Sequence, residues 1–484
     1  MEILFSGAML ALAADLGKKY YGKYRAYVVG GVALVALLAS LIDFLLNWTQ
    51  TLQGTLLLQP LQSIFSTLYS LDRLGVLVIL TVLVVGIAVV LYCMSSFSPE
   101  VNAGPFFALL VLLSISSIGV ISSGDLLTLF LFWTGISVAA FGLVSFERRD
   151  VSLEATLKYY FLAGAGSLVY LYGAALVYSL EGSLRFSSLT SLFQQNSTTA
   201  LLAMVLLIVG LGTEVAVFPF HTWLPDAYGS TRALNGALQG RLVDETLVFA
   251  ILKIMQPLIP TGISSSLLGD IQLTLLGFAV ATMFVGNFGA MGQNNLRRML
   301  GFSSISQVGY MLAAISTFTP LGFIAATFQI WNHGLVKSNF FLLSGIGRER
   351  YEETEFEKMK GIGRRQKFLG VLYTTSSLAM MGSPPFGMFW SELLIVQSLL
   401  AVGSSLFFGA AVVVVLNVFL SIAYYFRIIN NMVLSPGDAT TDSNTTTTTT
   451  TTSSYPKSII VPVSLLALSL VTGLVPALFL GIIT

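Results

Sequence analysis

Long apolar runs, each close to the length of a membrane-spanning helix, constrain this chain more than any other feature. The stretch from Leu74 to Cys93 has no charged residue, and comparable stretches recur along the whole sequence. A helix needs about 20 apolar residues to cross the hydrocarbon core of a bilayer, and its backbone polar groups are then satisfied internally. The sequence therefore predicts an all-α polytopic membrane protein with about 14 transmembrane helices.

Composition supports this interpretation, since only 10% of the residues are charged, against about 25% in soluble domains. The first predicted span is short, and the twelfth is long enough to be broken. The predicted spans are 2–16, 26–47, 74–95, 104–122, 125–146, 155–180, 199–220, 231–256, 265–290, 298–316, 320–346, 367–400, 404–432 and 457–482.

Basic residues are concentrated in alternate loops. Lysines and arginines follow predicted helices 1, 5 and 9, and seven of them lie between Arg348 and Lys367, after helix 11. With about 14 helices these loops share one face, which the positive-inside rule makes cytoplasmic. Both termini are then external, and the threonine-rich tract at 436–455 is predicted to be a disordered cytoplasmic linker.

Composition also excludes several functions. A net charge of +1 offers nucleic acid no basic surface. The single cysteine, Cys93, excludes a disulfide framework, an iron–sulfur cluster or a cysteine zinc site within this chain. The sequence has no motif for nucleotide, flavin or metal binding. It therefore predicts no catalytic residue, no metal and no cofactor in the chain itself.

Two long helices carry prolines inside apolar runs. In helix 7 Glu214 precedes Pro219, and in helix 12 the pair Pro384 and Pro385 precedes Glu392. Proline removes a backbone donor and breaks a helix, so we expect interruptions at 217–220 and 382–386. Matching breaks in the two halves of a membrane chain are typical of inverted repeats.

Ionisable residues inside the predicted spans are the candidates for ion translocation. Charges at membrane depth are costly and usually face the bundle interior or a water-filled path. Buried carboxylates and lysines favour their neutral forms, so both can exchange protons near neutral pH. The candidates are Glu214, Arg241, Asp244, Glu245, His333, Lys337 and Glu392, with Thr134, His221 and Lys253 as lesser candidates.

Several of these residues have a second interpretation. Arg241 can pair with Asp244 or Glu245 at i,i+3 or i,i+4 spacing and simply neutralise them. His221 can brace its loop by hydrogen bonds instead of carrying protons. Two further carboxylates near predicted helix ends are interpreted as helix caps, namely Asp125 and Asp226.

The segment PFHTWLPDAYGSTRALNGAL, residues 219–238, resembles the signature of the antiporter-like subunits shared by respiratory complex I, the multi-subunit Mrp-type cation/proton antiporters, and archaeal membrane-bound hydrogenase and sulfur-reductase complexes. The resemblance extends from about Asp125 to Tyr425. It implies two inverted five-helix repeats, helices 4–8 and 9–13, with helices 7 and 12 broken. The corresponding division is 1–103 for the N-terminal helices and an external loop, 104–256 and 265–432 for the repeats, 436–455 for the linker and 457–484 for the last helix.

The resemblance also marks where the first half departs from the family pattern. Members typically carry a glutamate in helix 5 and a lysine in each of helices 7 and 8. Here these positions match Thr134, Glu214 and Glu245, so acids replace two bases. Either these carboxylates bind a cation such as Na⁺, or Arg241 compensates them, or this half no longer conducts. We expect Arg241 to be bonded to a carboxylate of its own half.

The second half keeps the family pattern. The segment WNHGLVKSNFFLLSG supplies His333 and Lys337, and Glu392 matches the glutamate version of helix 12. His333 and Lys337 are one turn apart and share a helix face. We therefore expect both to face the same neighbour, and a polar path to link them to Glu392.

The resemblance implies an ion-translocating subunit, carrying H⁺, Na⁺ or both, of a multi-subunit redox-driven complex in the plasma membrane of a prokaryote. An archaeal membrane-bound hydrogenase or sulfur reductase is the favoured complex. The alternatives are a subunit of an Mrp-type Na⁺/H⁺ antiporter and a degenerate scaffold subunit without transport in its first half. Implied partners are further membrane subunits, including antiporter-like ones, a soluble redox arm on the cytoplasmic side, and lipid, but no nucleic acid. Iron–sulfur clusters or a nickel–iron site are expected only in partner subunits.

Overall fold

A computed structural model describes residues 2–16, 24–52, 69–96, 103–194, 198–230, 242–259, 266–351, 355–436 and 456–483. Most of these residues are in helices that pack side by side. Among the described helices, eight are long and apolar enough to cross a membrane, and shorter apolar helices accompany them. The chain is therefore a polytopic helical membrane protein.

The helices keep the order of the predicted spans, and we number them accordingly, with a and b for the two parts of an interrupted helix. Two short helices, Leu189–Gln194 and Ile362–Arg365, lie in connecting segments. The helices are α1 (Glu2–Leu16), α2 (Arg25–Leu52), α3 (Arg73–Ser96), α4 (Ala103–Ser122), α5 (Leu126–Val144), α6 (Asp150–Glu181), α7a (Thr198–Glu214), α7b (Trp223–Ser230), α8 (Asp244–Met255), α9 (Ser266–Met291), α10 (Leu296–Ile315), α11 (Pro320–Tyr351), α12a (Lys367–Met380), α12b (Gly387–Ala401), α13 (Ser405–Ile429), α14a (Ile460–Leu474) and α14b (Pro476–Ile483).

Three predicted segments fall wholly or partly outside the described residues. They are the external loop of the N-terminal region, of which 53–68 lie outside, the N-terminal part of predicted helix 8 with Arg241, and the threonine-rich tract from 437 to 455. The last helix differs from its prediction, because it is interrupted at Val475, whose backbone is not helical (φ −131°, ψ 61°). Pro476 explains the break, since a proline disfavours the helical conformation of the residue before it.

The break in helix 7 begins directly after Glu214. Ala216 has a positive φ of 57°, and the Val217 N–H bonds to the Gly212 carbonyl at 2.9 Å. The chain then re-enters a helix at Trp223 after one 3₁₀ turn. The predicted interruption of this helix is therefore present.

The break in helix 12 has the same backbone arrangement. Gly382 has a positive φ of 67°, and the Ser383 N–H bonds to the Leu378 carbonyl at 3.2 Å. In both breaks a backbone N–H donates to the carbonyl five residues earlier, and the residue just before the donor has the positive φ. The carboxylates lie on opposite sides of the breaks, however, because Glu214 ends α7a whereas Glu392 lies within α12b.

Small residues let neighbouring helices approach closely. A Cβ added at Gly210 of α7a would lie 2.7 Å from the backbone nitrogen of Tyr170 on α6, and one added at Gly309 of α10 would lie 2.8 Å from the carbonyl oxygen of Ala279 on α9. Close backbone approach of this kind stabilises helix pairs in membranes. Within the bundle α8 is enclosed along its whole length, since every residue from Asp244 to Met255 is buried.

Candidate functional site

Several ionisable side chains are buried in the described part of the bundle, and four of them, one each on α7a, α8, α11 and α12b, are described first. Glu214, Asp244, Lys337 and Glu392 have only 0%, 1%, 1% and 7% of their surface exposed. We call these four residues the polar row. Burial of this degree requires hydrogen-bond or charge partners, because an isolated buried charge is very costly, and their partners are described in turn.

Glu214 is surrounded by hydrogen-bond donors. Its Oε1 accepts from the Ser137 hydroxyl at 2.8 Å and from the Tyr159 hydroxyl at 2.5 Å, and the Trp133 indole lies next to the carboxyl group. The Tyr159 ring stacks on Trp223, with centroids 3.9 Å apart. The first residues after the break in helix 7 therefore position the tyrosine that binds the carboxylate before the break.

Asp244, at the start of α8, accepts from the Tyr228 hydroxyl at 2.5 Å. It lies within electrostatic range of both Glu214 and Lys337, which makes it the link between the two halves of the row. Tyr228 also lies beside Ser304 on α10. The helix 8 residue that continues the row is therefore Asp244, whereas its neighbour Glu245 points elsewhere.

Glu245 pairs with His333 of α11. The Oε1 atom of Glu245 meets the Nδ1 atom of His333, and the two side chains are only 1% and 2% exposed. The pair joins α8, in the first half of the chain, to α11, in the second. A protonated histidine would make it a buried ion pair, and a neutral histidine would make it a hydrogen bond.

Lys337 donates from Nζ to the Ser303 hydroxyl of α10. His333 and Lys337 therefore have hydrogen-bond partners on different helices, and the expectation of a common partner was wrong. Spacing of i,i+4 places both on one helix face, and that face meets α8 as well as α10, since Lys337 also lies within electrostatic range of Asp244.

Glu392 packs directly against the backbone of the helix 12 break. A Cβ added at Gly382 would overlap its Oε2 atom. On the other side it lies beside Gln307 of α10, whose Oε1 accepts from the Gln329 amide. A glycine is thus needed at this break both for its positive φ and for the space that the carboxylate occupies.

Residues of α10 contact the polar row at several points, and sequence reasoning missed them. Ser303 and Gln307 face the second half, and Ser304 faces the first. The signal was present in the segment SSISQVGY at 303–310, since a polar stripe in a membrane helix usually faces the bundle interior. These residues are polar but uncharged, so they are not among the ionisable candidates.

Thr134 does not lie in the interior. It is exposed on α5, and its hydroxyl bonds to the Phe130 carbonyl one turn earlier. The α5 residue that reaches Glu214 is Ser137. The assignment of Thr134 to the interior position of helix 5 is thus corrected, since Thr134 lies on the exposed edge of α5 and Ser137, three residues later, is the buried residue that reaches the carboxylate.

The other candidates lie off the polar row. His221 is half-buried between the rings of Phe218 and Phe302. Lys253 donates to the carbonyl oxygens of Ser70 and Ile121, so it satisfies backbone groups just before α3 and at the end of α4. Arg241 lies outside the described residues, so its predicted bond to a carboxylate stays a prediction.

The two carboxylates interpreted as caps behave differently. Asp125 caps α5, since it accepts from the backbone of Leu127 at 2.9 Å and of Thr128 at 2.8 Å. Asp226 instead forms ion pairs with Arg298 at 2.7 Å and Lys158 at 3.0 Å. It ties α7b to α6 and α10, and the capping interpretation is wrong for it, because long basic side chains from both helices reach it. Among the described residues, no group of three or more His, Cys, Asp or Glu is placed to hold a metal ion.

Comparison with known proteins identifies one family of membrane proteins. Residues 123–420 match the family described as NADH:quinone oxidoreductase/Mrp antiporter, transmembrane. NADH-quinone oxidoreductase subunit N of Desulforudis audaxviator is 30% identical over 335 residues, which cover 67% of this chain and 64% of that protein, just under two thirds of its length. A Na⁺/H⁺ antiporter subunit of Alkalihalophilus pseudofirmus is 26% identical over 372 residues, covering 76% of this chain and 74% of that protein.

Two solved structures have the same fold. One is a membrane-bound sulfane sulfur reductase, an archaeal respiratory membrane complex, with a TM-score of 0.79 at 24% identity, covering 98% of this chain and 96% of the matched chain. The other is respiratory complex I from Thermus thermophilus, with a TM-score of 0.76 at 23% identity, covering 99% of this chain and 98% of the matched chain.

Proposed function

Because the chain belongs to the NADH:quinone oxidoreductase/Mrp antiporter family of membrane proteins, we propose that it translocates ions, H⁺ or Na⁺, as one subunit of a multi-subunit redox-driven complex. The observation that carries the proposal is the polar row. Each charge at the bilayer centre costs at least about 2.5–3.5 kcal/mol on insertion scales. Four buried ionisable groups linked by hydroxyl and amide side chains are best explained by use as an ion path.

The second half of the chain is the conducting half in this proposal. It contains the lysine, Lys337, with a polar α10 face between it and Glu392. In the first half, Glu214 and Asp244 are held by tyrosine hydroxyls, and the Glu214 surroundings include an indole N–H, which cannot coordinate a cation. These contacts favour a neutralised first half over a Na⁺ site. Compensation by Arg241 is a further element of the proposal.

The experiment that tests this function uses liposomes that contain the purified complex, with a potassium diffusion potential as the driving force and fluorescent indicators for H⁺ and Na⁺. We expect Glu392→Gln to lower the flux through this chain about tenfold or more. Glu214→Gln should change it by about twofold at most, because the first half does not conduct. Glu357→Gln, in an exposed pair with Lys360, is the control.

A scaffold subunit predicts a different result. Neither Glu392→Gln nor Glu214→Gln would then alter the flux of either ion. Loss of Na⁺ flux in Glu214→Gln, with Glu392→Gln unaffected, would instead assign a cation site to the first half. All variants are compared only after equal assembly into the complex has been verified.

We infer that the complex is an archaeal-type membrane-bound hydrogenase or sulfur reductase, with iron–sulfur or nickel–iron centres in partner subunits and a soluble arm on the cytoplasmic side. An Mrp-type antiporter is the second candidate, favoured by the similarity to the Na⁺/H⁺ antiporter subunit of Alkalihalophilus pseudofirmus. Purification in mild detergent separates the two. Copurifying iron–sulfur proteins would select the redox complex, and membrane subunits alone would select the antiporter.

The proposed topology has both termini external and the threonine-rich tract cytoplasmic. The two inverted repeats are placed at 104–256 and 265–432, and the equivalent hydrogen bonds and positive φ angles of the two breaks support them. A Ser443→Cys variant should react with an impermeant thiol reagent only from the cytoplasmic face. The native Cys93 is buried and adds no background, so labelling from outside would overturn the orientation.

A further inference from the structure

Three buried tyrosines lie close to the second half of the polar row. Tyr310 is on α10, and Tyr424 and Tyr425 are on α13, and all three are at most 2% exposed. The rings of Tyr424 and Tyr425 have centroids 4.6 Å apart. All three tyrosines lie within electrostatic range of Glu392, so they are neighbours of one end of the second half of the polar row.

One face of α10 contacts both Lys337 and Glu392. The residues at spacing i, i+3, i+4 and i+7 are Ser303, Ser306, Gln307 and Tyr310, which share a helix face. The first of them accepts a hydrogen bond from Lys337, and the third lies beside Glu392. Tyr310 is on this polar face of α10, and Tyr425 of α13 lies beside its Ser303, so the tyrosines adjoin a surface that contacts both the lysine and the carboxylate.

The tyrosine hydroxyls have neighbours in a connected order. The Tyr425 hydroxyl lies next to Ser303 and Tyr424. The Tyr424 hydroxyl donates to Asn287 Oδ1 at 3.0 Å, and Tyr310 lies next to the same asparagine. Asn287 thus joins the two tyrosines of α13 to the one on α10.

Two of these hydroxyls have hydrogen-bonding capacity left over. The Tyr310 and Tyr425 oxygens, and the Ser306 hydroxyl beside them, are buried without a hydrogen-bond partner among the described residues. A buried polar group left unpaired costs about 1–3 kcal/mol, and such groups usually bind ordered water. Hydroxyls with spare capacity around a polar surface are suited to pass protons.

We propose that Tyr310, Tyr424 and Tyr425 form a hydroxyl bridge that carries protons between Lys337 and Glu392, directly or through ordered water. In each step a tyrosine hydroxyl or an ordered water accepts a proton from the lysine side and releases its own proton toward the carboxylate. Asn287 holds the hydroxyls in place and carries no proton, because its amide oxygen only accepts, so water completes the path between Tyr424 and Tyr310. Every hydroxyl ends as it began, and one proton has moved from the Lys337 ammonium to the Glu392 carboxylate. The bridge rests on the proposed function and gives the residues that carry it out.

The test removes hydroxyls and keeps the rings, in the same liposome assay of the complete complex. Tyr425→Phe, Tyr310→Phe and the double variant are compared with Tyr373→Phe. Tyr373 is an equally buried tyrosine whose hydroxyl bonds to the Leu343 backbone carbonyl at 2.9 Å. We expect the double variant to lose the Glu392-dependent proton flux about tenfold or more, and Tyr373→Phe to keep it.

A solvent isotope effect separates a relay from packing. If the hydroxyls carry protons, the ratio of flux in H₂O to flux in D₂O should change in Tyr425→Phe and Tyr310→Phe, whereas a packing defect would leave this ratio unchanged. The single variants are used for this measurement, so the test stands even if the double variant fails to assemble.

The flux measurements distinguish an error in the hydroxyl bridge from an error in the proposed function. Wild-type flux and isotope ratio in the phenylalanine variants, with flux lost in Glu392→Gln, would overturn the bridge and leave ion translocation in place. Unchanged flux in both Glu392→Gln and Lys337→Ala would overturn ion translocation and the bridge together. Equal losses in Tyr373→Phe and Tyr425→Phe would also contradict the bridge.

Discussion

Lys337→Ala should lower the ion flux through this chain about 100-fold. The Lys337 ammonium is 1% exposed and donates to Ser303, and it lies within electrostatic range of Asp244. The alanine side chain cannot bind a proton, so no titratable group would then lie between Asp244 and Ser303 of α10. The flux is measured in liposomes under a potassium diffusion potential, with equal amounts of assembled complex.

Lys253→Ala is the matched control, because it removes another buried lysine. Lys253 is 4% exposed and bonds to the carbonyl oxygens of Ser70 and Ile121. Its loss leaves these carbonyls unsatisfied and should lower stability by about 1–3 kcal/mol, with the flux per assembled complex unchanged. Equal flux losses in the two variants would show that Lys337, too, acts only through stability.

Gly382→Ala should reduce the flux about 10- to 100-fold, since displacement of a reacting group by about 1 Å can have an effect of this size. The added methyl group would overlap Glu392 Oε2, and the backbone at this position has a φ of +67°. The carboxylate must therefore move away from the break in helix 12. Flux at the wild-type level, with Glu392 still required, would contradict this expectation.

Gly403→Ala is the control for Gly382→Ala, because it introduces the same backbone strain without displacing a carboxylate. Gly403 has a similar positive φ of +73°, but an added Cβ would have nothing within 4 Å. Alanine at a positive φ costs about 1 kcal/mol of stability in both variants. We therefore expect Gly403→Ala to show only the small decrease in melting temperature that backbone strain causes, and we expect loss of flux only in Gly382→Ala.

The helical spans could be predicted because the bilayer fixes the length of an apolar run. The interruptions after Glu214 and before Gly387 followed from prolines, which act locally. The break at Val475 was missed although Pro476 has the same effect, since the apolar run continues without a polar residue through it. Local chemistry thus explains both the successes and this failure.

The partners of the buried groups could not be predicted, because they depend on how distant helices meet. Asp244 and Glu245 are adjacent in sequence, but about 100° of helix rotation separates them, so one faces the polar row and the other faces His333. Ser137 lies 77 residues from the Glu214 that it binds. A resemblance to a family assigns positions along the chain, and only the packing shows which side chain of a helix turn reaches the interior.

The measurement that tests the central claim most directly is an experimental density map of the intact complex at a resolution that shows ordered water. We predict water or direct hydrogen bonds in an unbroken series from Lys337 through the Tyr310, Tyr424 and Tyr425 hydroxyls to Glu392. We also predict that Tyr159 and Tyr228 remain bonded to Glu214 and Asp244. A dry apolar barrier between Lys337 and Glu392, in every conformation of the complex, would contradict the claim that this half of the chain conducts ions.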